Sequence, residues 1–217
     1  MVADISKAPS PAAAKKARPP RWLSVEEYLK RESGHINKHE YLNGKIVRMP
    51  YARGPHNEIS MNIGTAIKNA VRGLPVKYRV FSSDQKIYFP ELNQGSYADA
   101  LAVSEKPVYW DGNELLLINP LLVVEVLSDS TENYDRQGKF AKYKTLASFR
   151  EYVLVKQDKC HVETWFRLEP GLWQETIVTD PKGSIALKSI GCFLSVADIY
   201  ENIEFPVLPS TPSAPSR

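Results

Sequence analysis

LLVVEVLS, residues 121–128, is an aliphatic run interrupted only by Glu125. A run of this length and composition is the pattern of a central strand covered on both faces. ADALAV, residues 98–103, has the same character, with Asp99 as its only polar side chain. An ionised carboxylate is costly to bury unless it is ion-paired, hydrogen-bonded or bound to a metal. One carboxylate in each of two core strands therefore calls for a compensating arrangement. Two are open: structural ion pairs with nearby Lys and Arg, or a divalent-metal site. Hard cations such as Mg²⁺ or Mn²⁺ take oxygen ligands, typically one or two carboxylates completed by waters and substrate phosphate.

Working outward, Ser24-Val-Glu-Glu27 has capping-box spacing and opens a short helix, SVEEYLKRE, after Trp22-Leu23. HEYLNGKIVRM at 39–49 places two β-prone runs around Asn43-Gly44, the strongest short hairpin signal, since both residues tolerate the positive φ of a type I′ turn. Ile59, Ile63, Ile67, Ala70, Val71 and Leu74 follow helical spacing and predict a helix over Asn57–Gly73. VKYRVFSS, QKIYFP and SYADALAV read as strands. A second main helix is expected from about Tyr134 to Leu146, with Phe140, Tyr143 and Ala147 on one face. EYVLVK, HVETWFRL and WQETIV read as a meander, covered by Trp165, Phe166 and Trp173, and VADIYENI as a closing helix. Strands before, between and after two main helices imply an α/β (α+β) domain with a mixed central sheet flanked by helices.

The chain has 217 residues, 28 Lys+Arg, 25 Asp+Glu and a net charge of +3. Residues 1–21 hold five basic residues against Asp4, and Arg217 adds one more, so residues 22–205 come out at −2. Eight of the 16 prolines also lie in 1–21 and 206–217, and these Pro/Ala/Ser-rich ends are expected to be disordered tails around one domain at 22–205. No apolar stretch approaches the ~20 residues of a membrane helix. The first 20 residues lack an apolar signal core, and Cys160 and Cys192 lie far apart, which together lead to the expectation of a cytoplasmic protein. His35, His39, His56 and His161 form no HxxxH or HxH pair, so a zinc site is not expected. His39 reads as a surface or hairpin residue, Asp129 and Asp135 as caps of a turn and of the second helix, and Lys86 as part of a solvated strand face. Phosphate-binding glycine loops, serine-nucleophile elbows and dinucleotide fingerprints are missing.

The ordered set HEYLNGKIVRM, SDQKIYF, YADALAV, PLLVVEVLSDST, YDRQGKFAKY and REYVLV resembles the Uma-two family of restriction-endonuclease domains, a branch of the PD-(D/E)XK nuclease superfamily. The resemblance spans roughly residues 22–200 and implies a restriction-endonuclease-like fold. It implies that Asp99 and Glu125 ligate Mg²⁺ or Mn²⁺, and that Glu40 approaches the metal directly or through water. Lys139 would orient the attacking water or stabilise developing negative charge, and His56, near a helix start, would face the cleft. DNA is the implied substrate, and a homodimer would match a two-fold duplex. Two positions depart from the pattern. Ala98 stands where the motif has proline, and Leu127 stands where the strand lysine belongs, leaving Lys139 as its substitute. The expected function is thus metal-dependent hydrolysis of DNA phosphodiesters. The alternative is an inactive nuclease fold that binds nucleic acid or a protein partner.

Overall fold

The computed structural model describes residues 22–205. The expected tails at 1–21 and 206–217 lie outside the described residues. The chain opens with α1 (Val25–Glu32), capped by Ser24: its hydroxyl accepts from the Glu27 amide while the Glu27 carboxylate accepts from the Ser24 amide. β1 (His39–Leu42) and β2 (Lys45–Arg48) then form the hairpin, with φ of 46° at Asn43 and 89° at Gly44 as the type I′ turn requires. α2 runs Gly54–Ala70, starting three residues before the sequence suggests because Pro55, which needs no backbone donor, fits the first turn.

β3 (Tyr78–Ser82) and β4 (Lys86–Phe89) follow, and SYADALAV then divides into two strands, β5 (Gln94–Tyr97) and β6 (Ala100–Ser104). This differs from the single strand the sequence suggests. β5 belongs to a four-stranded antiparallel sheet, β2-β1-β5-β4, and β6 to a six-stranded one, so Ala98 and Asp99 carry the chain from one sheet to the other. β7 (Leu122–Leu127) lies inside the large sheet, whose order is β10-β9-β8-β7-β6-β3. Only the β7–β8 pairing is parallel, which makes the sheet mixed.

A π-helical segment, Tyr134–Lys139, continues directly into the short α3 (Phe140–Tyr143). The second helix thus ends three residues early, and Ala147 lies beyond it, exposed. β8 (Glu151–Lys156), β9 (Val162–Glu169) and β10 (Leu172–Val178) form the expected meander. A further hairpin, β11 (Ser184–Leu187) with β12 (Cys192–Ser195), precedes a one-turn α4 (Val196–Ile199), shorter than the expected closing helix.

Every side chain of β7 is buried. One face packs Leu122, Val124 and Val126 against Ile59, Ile63 and Ile67 of α2, together with the β11–β12 hairpin and α4. Each fully buried isoleucine contributes roughly 1.5–3 kcal/mol relative to exposure. The other face packs Val123 and Leu127 against Phe140, Tyr143, Phe149 and Tyr152, with Trp165 and Trp173 closing the cluster over Phe140. Glu125 falls on this second face. Among the described residues no helix is long and apolar enough to cross a membrane.

Candidate active site

Asp99 sits where the two sheets exchange the chain. β6 pairs with β7 only as far as Ala100 opposite Val124, so β7 outruns its neighbour and the Val126 amide has no partner from β6. Asp99 completes the ladder. Its amide donates to the Val124 carbonyl at 3.1 Å, and its Oδ2 accepts the Val126 amide at 2.7 Å. Its Oδ1 lies 2.9 Å from Nε2 of His56, which projects from the first turn of α2. One register step beyond Ala100 and Val124 brings residue 99 to the level of residue 125, so the strand pairing itself sets the two acidic residues opposite each other.

Glu125 is satisfied by protein groups on both oxygens. Oε1 accepts from the Tyr143 hydroxyl at 2.7 Å, and Oε2 from the Lys139 ammonium at 2.8 Å. Lys139 also donates to the Tyr97 carbonyl at 3.2 Å and lies 3.1 Å from Oδ1 of Asp135. Burial disfavours the charge of Lys139, but Glu125, Asp135, Asp99 and Glu40 together outweigh it and raise its pKa, so it stays an ammonium. Burial pushes the Glu125 carboxyl up, opposed by Lys139. Asp135 is not the helix cap its position suggests: it is buried inside the π-helical segment, four residues before the lysine it pairs with.

Glu40, on β1, is also buried, at 6% exposure. Its Oε1 accepts from Ser96, and its Oε2 accepts from the Tyr134 hydroxyl at 2.7 Å. Lys142 in turn donates to the Tyr134 oxygen at 2.6 Å. Tyr134, which the sequence pattern does not single out, thus ties the helical segment to the first hairpin. A signal for it is present in Gly138: a Cβ there would come within 2.6 Å of the Tyr134 ring, so this helical glycine marks a side chain folded back on its own helix.

Glu40, His56, Asp99, Glu125, Asp135 and Lys139 all line one cleft of about 1130 Å³. Asp129 lines the same cleft at its edge, whereas His39 and Lys86 fall elsewhere. Asp129 is exposed in the turn after β7. His39 is half-buried on β1, its Nδ1 2.9 Å from Glu32. Lys86 is a correction. It is buried rather than solvated, because β4 turns its side chain between the rings of Tyr28 and Tyr97 near Glu32.

No group of three or more His, Cys, Asp or Glu side chains among the described residues is arranged to hold a metal. Asp99 and Glu125 supply two oxygen donors, the number with which Mg²⁺ is commonly held beside waters and substrate phosphate. Each Glu125 oxygen also keeps a second lone pair beyond the hydrogen bond it accepts. The donor chemistry therefore fits a hard divalent cation in its two-carboxylate form and no larger protein cage.

A profile of the Uma2 family, described as "Putative restriction endonuclease", matches residues 25–197. The chain belongs to this family. It is 32% identical over 185 residues to the uncharacterized protein slr1290 of Synechocystis sp., covering 84% of the chain and 94% of that relative. It is 29% identical over 151 residues to sll1609 of the same organism, covering 70% and 84%. The crystal structure of a "putative nuclease belonging to DUF820" from Anabaena variabilis superposes with a TM-score of 0.63 at 18% identity, over 82% of this chain and 97% of that one. At that identity the likeness concerns the fold. This Uma2 member thus has the fold of a protein described as a nuclease, with its charged cluster at the junction of two sheets.

Proposed function

We propose that this Uma2 protein hydrolyses DNA phosphodiester bonds with a divalent cation, Mg²⁺ or Mn²⁺, held by Asp99 and Glu125. The observation that carries the reading is the 2.8 Å contact between Lys139 and Glu125. It returns to the carboxylate pair the ammonium that Leu127 removes from the strand. When bound, the cation supplies Lewis-acid charge and a coordinated water of lowered pKa. Lys139, held protonated, is a fixed positive charge rather than a base, and it faces the negative charge that develops at phosphorus. His56 orients Asp99 through Oδ1. Glu40, braced by Ser96 and Tyr134, stands ready to accept a hydrogen bond from water.

Supercoiled plasmid should be nicked with Mg²⁺ or Mn²⁺ and left intact with EDTA, and Asp99→Asn should remove the activity. Cutting that persists in EDTA or in the variant overturns the proposal. The second reading, a non-catalytic binding module, draws on the saturation of Glu125 by Lys139 and Tyr143 as a self-sufficient network. Calorimetric titration with Mn²⁺ separates them, since that reading requires no binding dependent on Asp99 and Glu125.

A further inference from the structure

Glu40, Glu125 and Asp135 lie buried in the cleft, with Glu125 only 2% exposed, while the wall along α2 is of opposite character and Asp129 is the one exposed carboxylate among the described lining residues. On the segment joining β2 to α2, Tyr51 is 77% exposed. It is nevertheless held in place: its hydroxyl donates to Asn37 Oδ1, and the Arg48 guanidinium covers one face of the ring at 5.2 Å. Met61 of α2, 69% exposed, lines the same cleft. Three cations share this wall, namely Arg48, Arg53 and Lys68, and none has an acidic partner within ion-pair distance among the described residues. Lys38, by contrast, is engaged by Asp84 at 2.6 Å. Along α2 the cleft face reads His56, Ser60, Gly64 and Lys68, successive i+4 positions spanning about 18 Å. Ser60 and Gly64 keep this stretch low, and a Cβ at Gly64 would touch nothing closer than 3.9 Å.

From this we infer that the polymer entering the cleft is single-stranded DNA, stacked on Tyr51 and led along α2 by Arg48, Arg53 and Lys68. The inference rests on the phosphodiesterase reading for what happens at the floor, but its recognition argument is separate. Unpaired cations in a row suit any polyanion. A pre-positioned exposed aromatic beside them suits one whose base faces are free, because a duplex keeps its bases stacked inward and offers the rim only phosphates and groove edges. A duplex is also stiff over about 150 base pairs, whereas a single strand can bend down to groups as recessed as Glu125.

The test is fluorescence anisotropy with the full chain in EDTA, so that cleavage plays no part, comparing a labelled oligothymidine strand with a labelled duplex of equal length. The strand should bind at least about tenfold tighter at matched salt. Tyr51→Ala should weaken strand binding about 5- to 150-fold and leave duplex binding unchanged, while Tyr51→Phe should keep strand affinity. The double variant Arg53→Ala/Lys68→Ala should flatten the salt dependence by about 1.4 logarithmic units per decade. Equal binding, duplex preference, no binding, or indifference to Tyr51→Ala overturns the inference. Plasmid nicking without strand preference would sink this inference alone, whereas strand preference without any metal-dependent cutting would sink only the nuclease reading.

Discussion

Oδ2 of Asp99 accepts the amide of Val126, the residue after Glu125, at 2.7 Å. Asp99 and Glu125 are therefore fixed to each other through one strand's backbone. This separates a structural from a chemical role for Asp99. Asp99→Asn keeps an oxygen for the Val126 amide and should lose less than about 1 kcal/mol of stability. Asp99→Ala leaves that amide unsatisfied and should lose about 1–3 kcal/mol. Both should lower metal-dependent cutting on the order of a hundredfold or more. Urea unfolding beside a nicking assay checks this, and an Asp99→Asn protein that cuts normally would exclude Asp99 as a ligand.

Among the described residues, Lys139 is the one cation paired with both Glu125 and Asp135. Lys139→Met leaves two buried carboxylates without it and should cost about 3–5 kcal/mol. Both carboxyls are already pushed up by burial, and losing Lys139 raises them further. A raised carboxyl pKa means the native state holds protons that the unfolded chain has released, so stability falls as pH rises above the ordinary carboxylate range. Lys139→Met should accordingly be more destabilised at pH 8 than at pH 5. Adding Glu125→Gln should recover part of the loss. Equal destabilisation at the two pH values would contradict the ion-pair account.

Much of this site is legible in the sequence because burying charge is expensive: Asp99 and Glu125 stand out on apolar strands, and the structure places both, with Lys139, His56 and Glu40, along one cleft. Ladder geometry is harder to see. SYADALAV reads as one strand, yet the chain crosses between sheets at Ala98-Asp99, a break set by tertiary pairing that leaves no mark in the hydrophobic pattern. Asp135 and Lys86 mislead for a common reason. Each is a charged residue that folding buries: Asp135 together with Lys139, four residues on along the π-helical segment, and Lys86 in the Tyr28–Tyr97–Glu32 pocket, whose parts are distant in sequence. The β11–β12 hairpin escapes the pattern because residues 188–191 join its strands without the two-residue Asn-Gly signal that marks the equally short β1–β2 hairpin.

Gly138 lies against the ring of Tyr134, which is fixed at its hydroxyl by Glu40 and Lys142. In an ordinary exposed helix Gly→Ala stabilises by up to about 1 kcal/mol. Here Gly138→Ala should instead destabilise by about 1–3 kcal/mol, because the ring cannot yield without releasing Glu40. The double variant Gly138→Ala/Tyr134→Ala should show no further penalty from the alanine at 138. Thermal denaturation of the single and double variants gives the coupling, and additive losses would rule out the contact as the cause.

Lys86 is a buried charge without a close acidic partner among the described residues. Its ammonium has no carboxylate closer than Glu32 at 3.9 Å among the described residues, it lies 4.0 Å over the Tyr28 ring, and burial pulls its pKa down to about 8. Between pH 8 and the unfolded value of 10.5 the unfolded chain keeps a proton that the native state gives up, so this residue makes stability rise with pH across that window. Below pH 8 the buried ammonium costs about 3 kcal/mol, since each tenfold loss of proton affinity is worth about 1.4 kcal/mol. Lys86→Met removes the cost but also the hydrogen bond to the Tyr28 hydroxyl, worth about 1 kcal/mol. The variant should therefore gain about 1–2 kcal/mol at pH 7 and lose that gain by pH 10. Groups common to both proteins cancel in the difference, so urea unfolding of wild type and variant at the two pH values isolates Lys86. A difference independent of pH would mean that the lysine keeps its proton inside the folded protein.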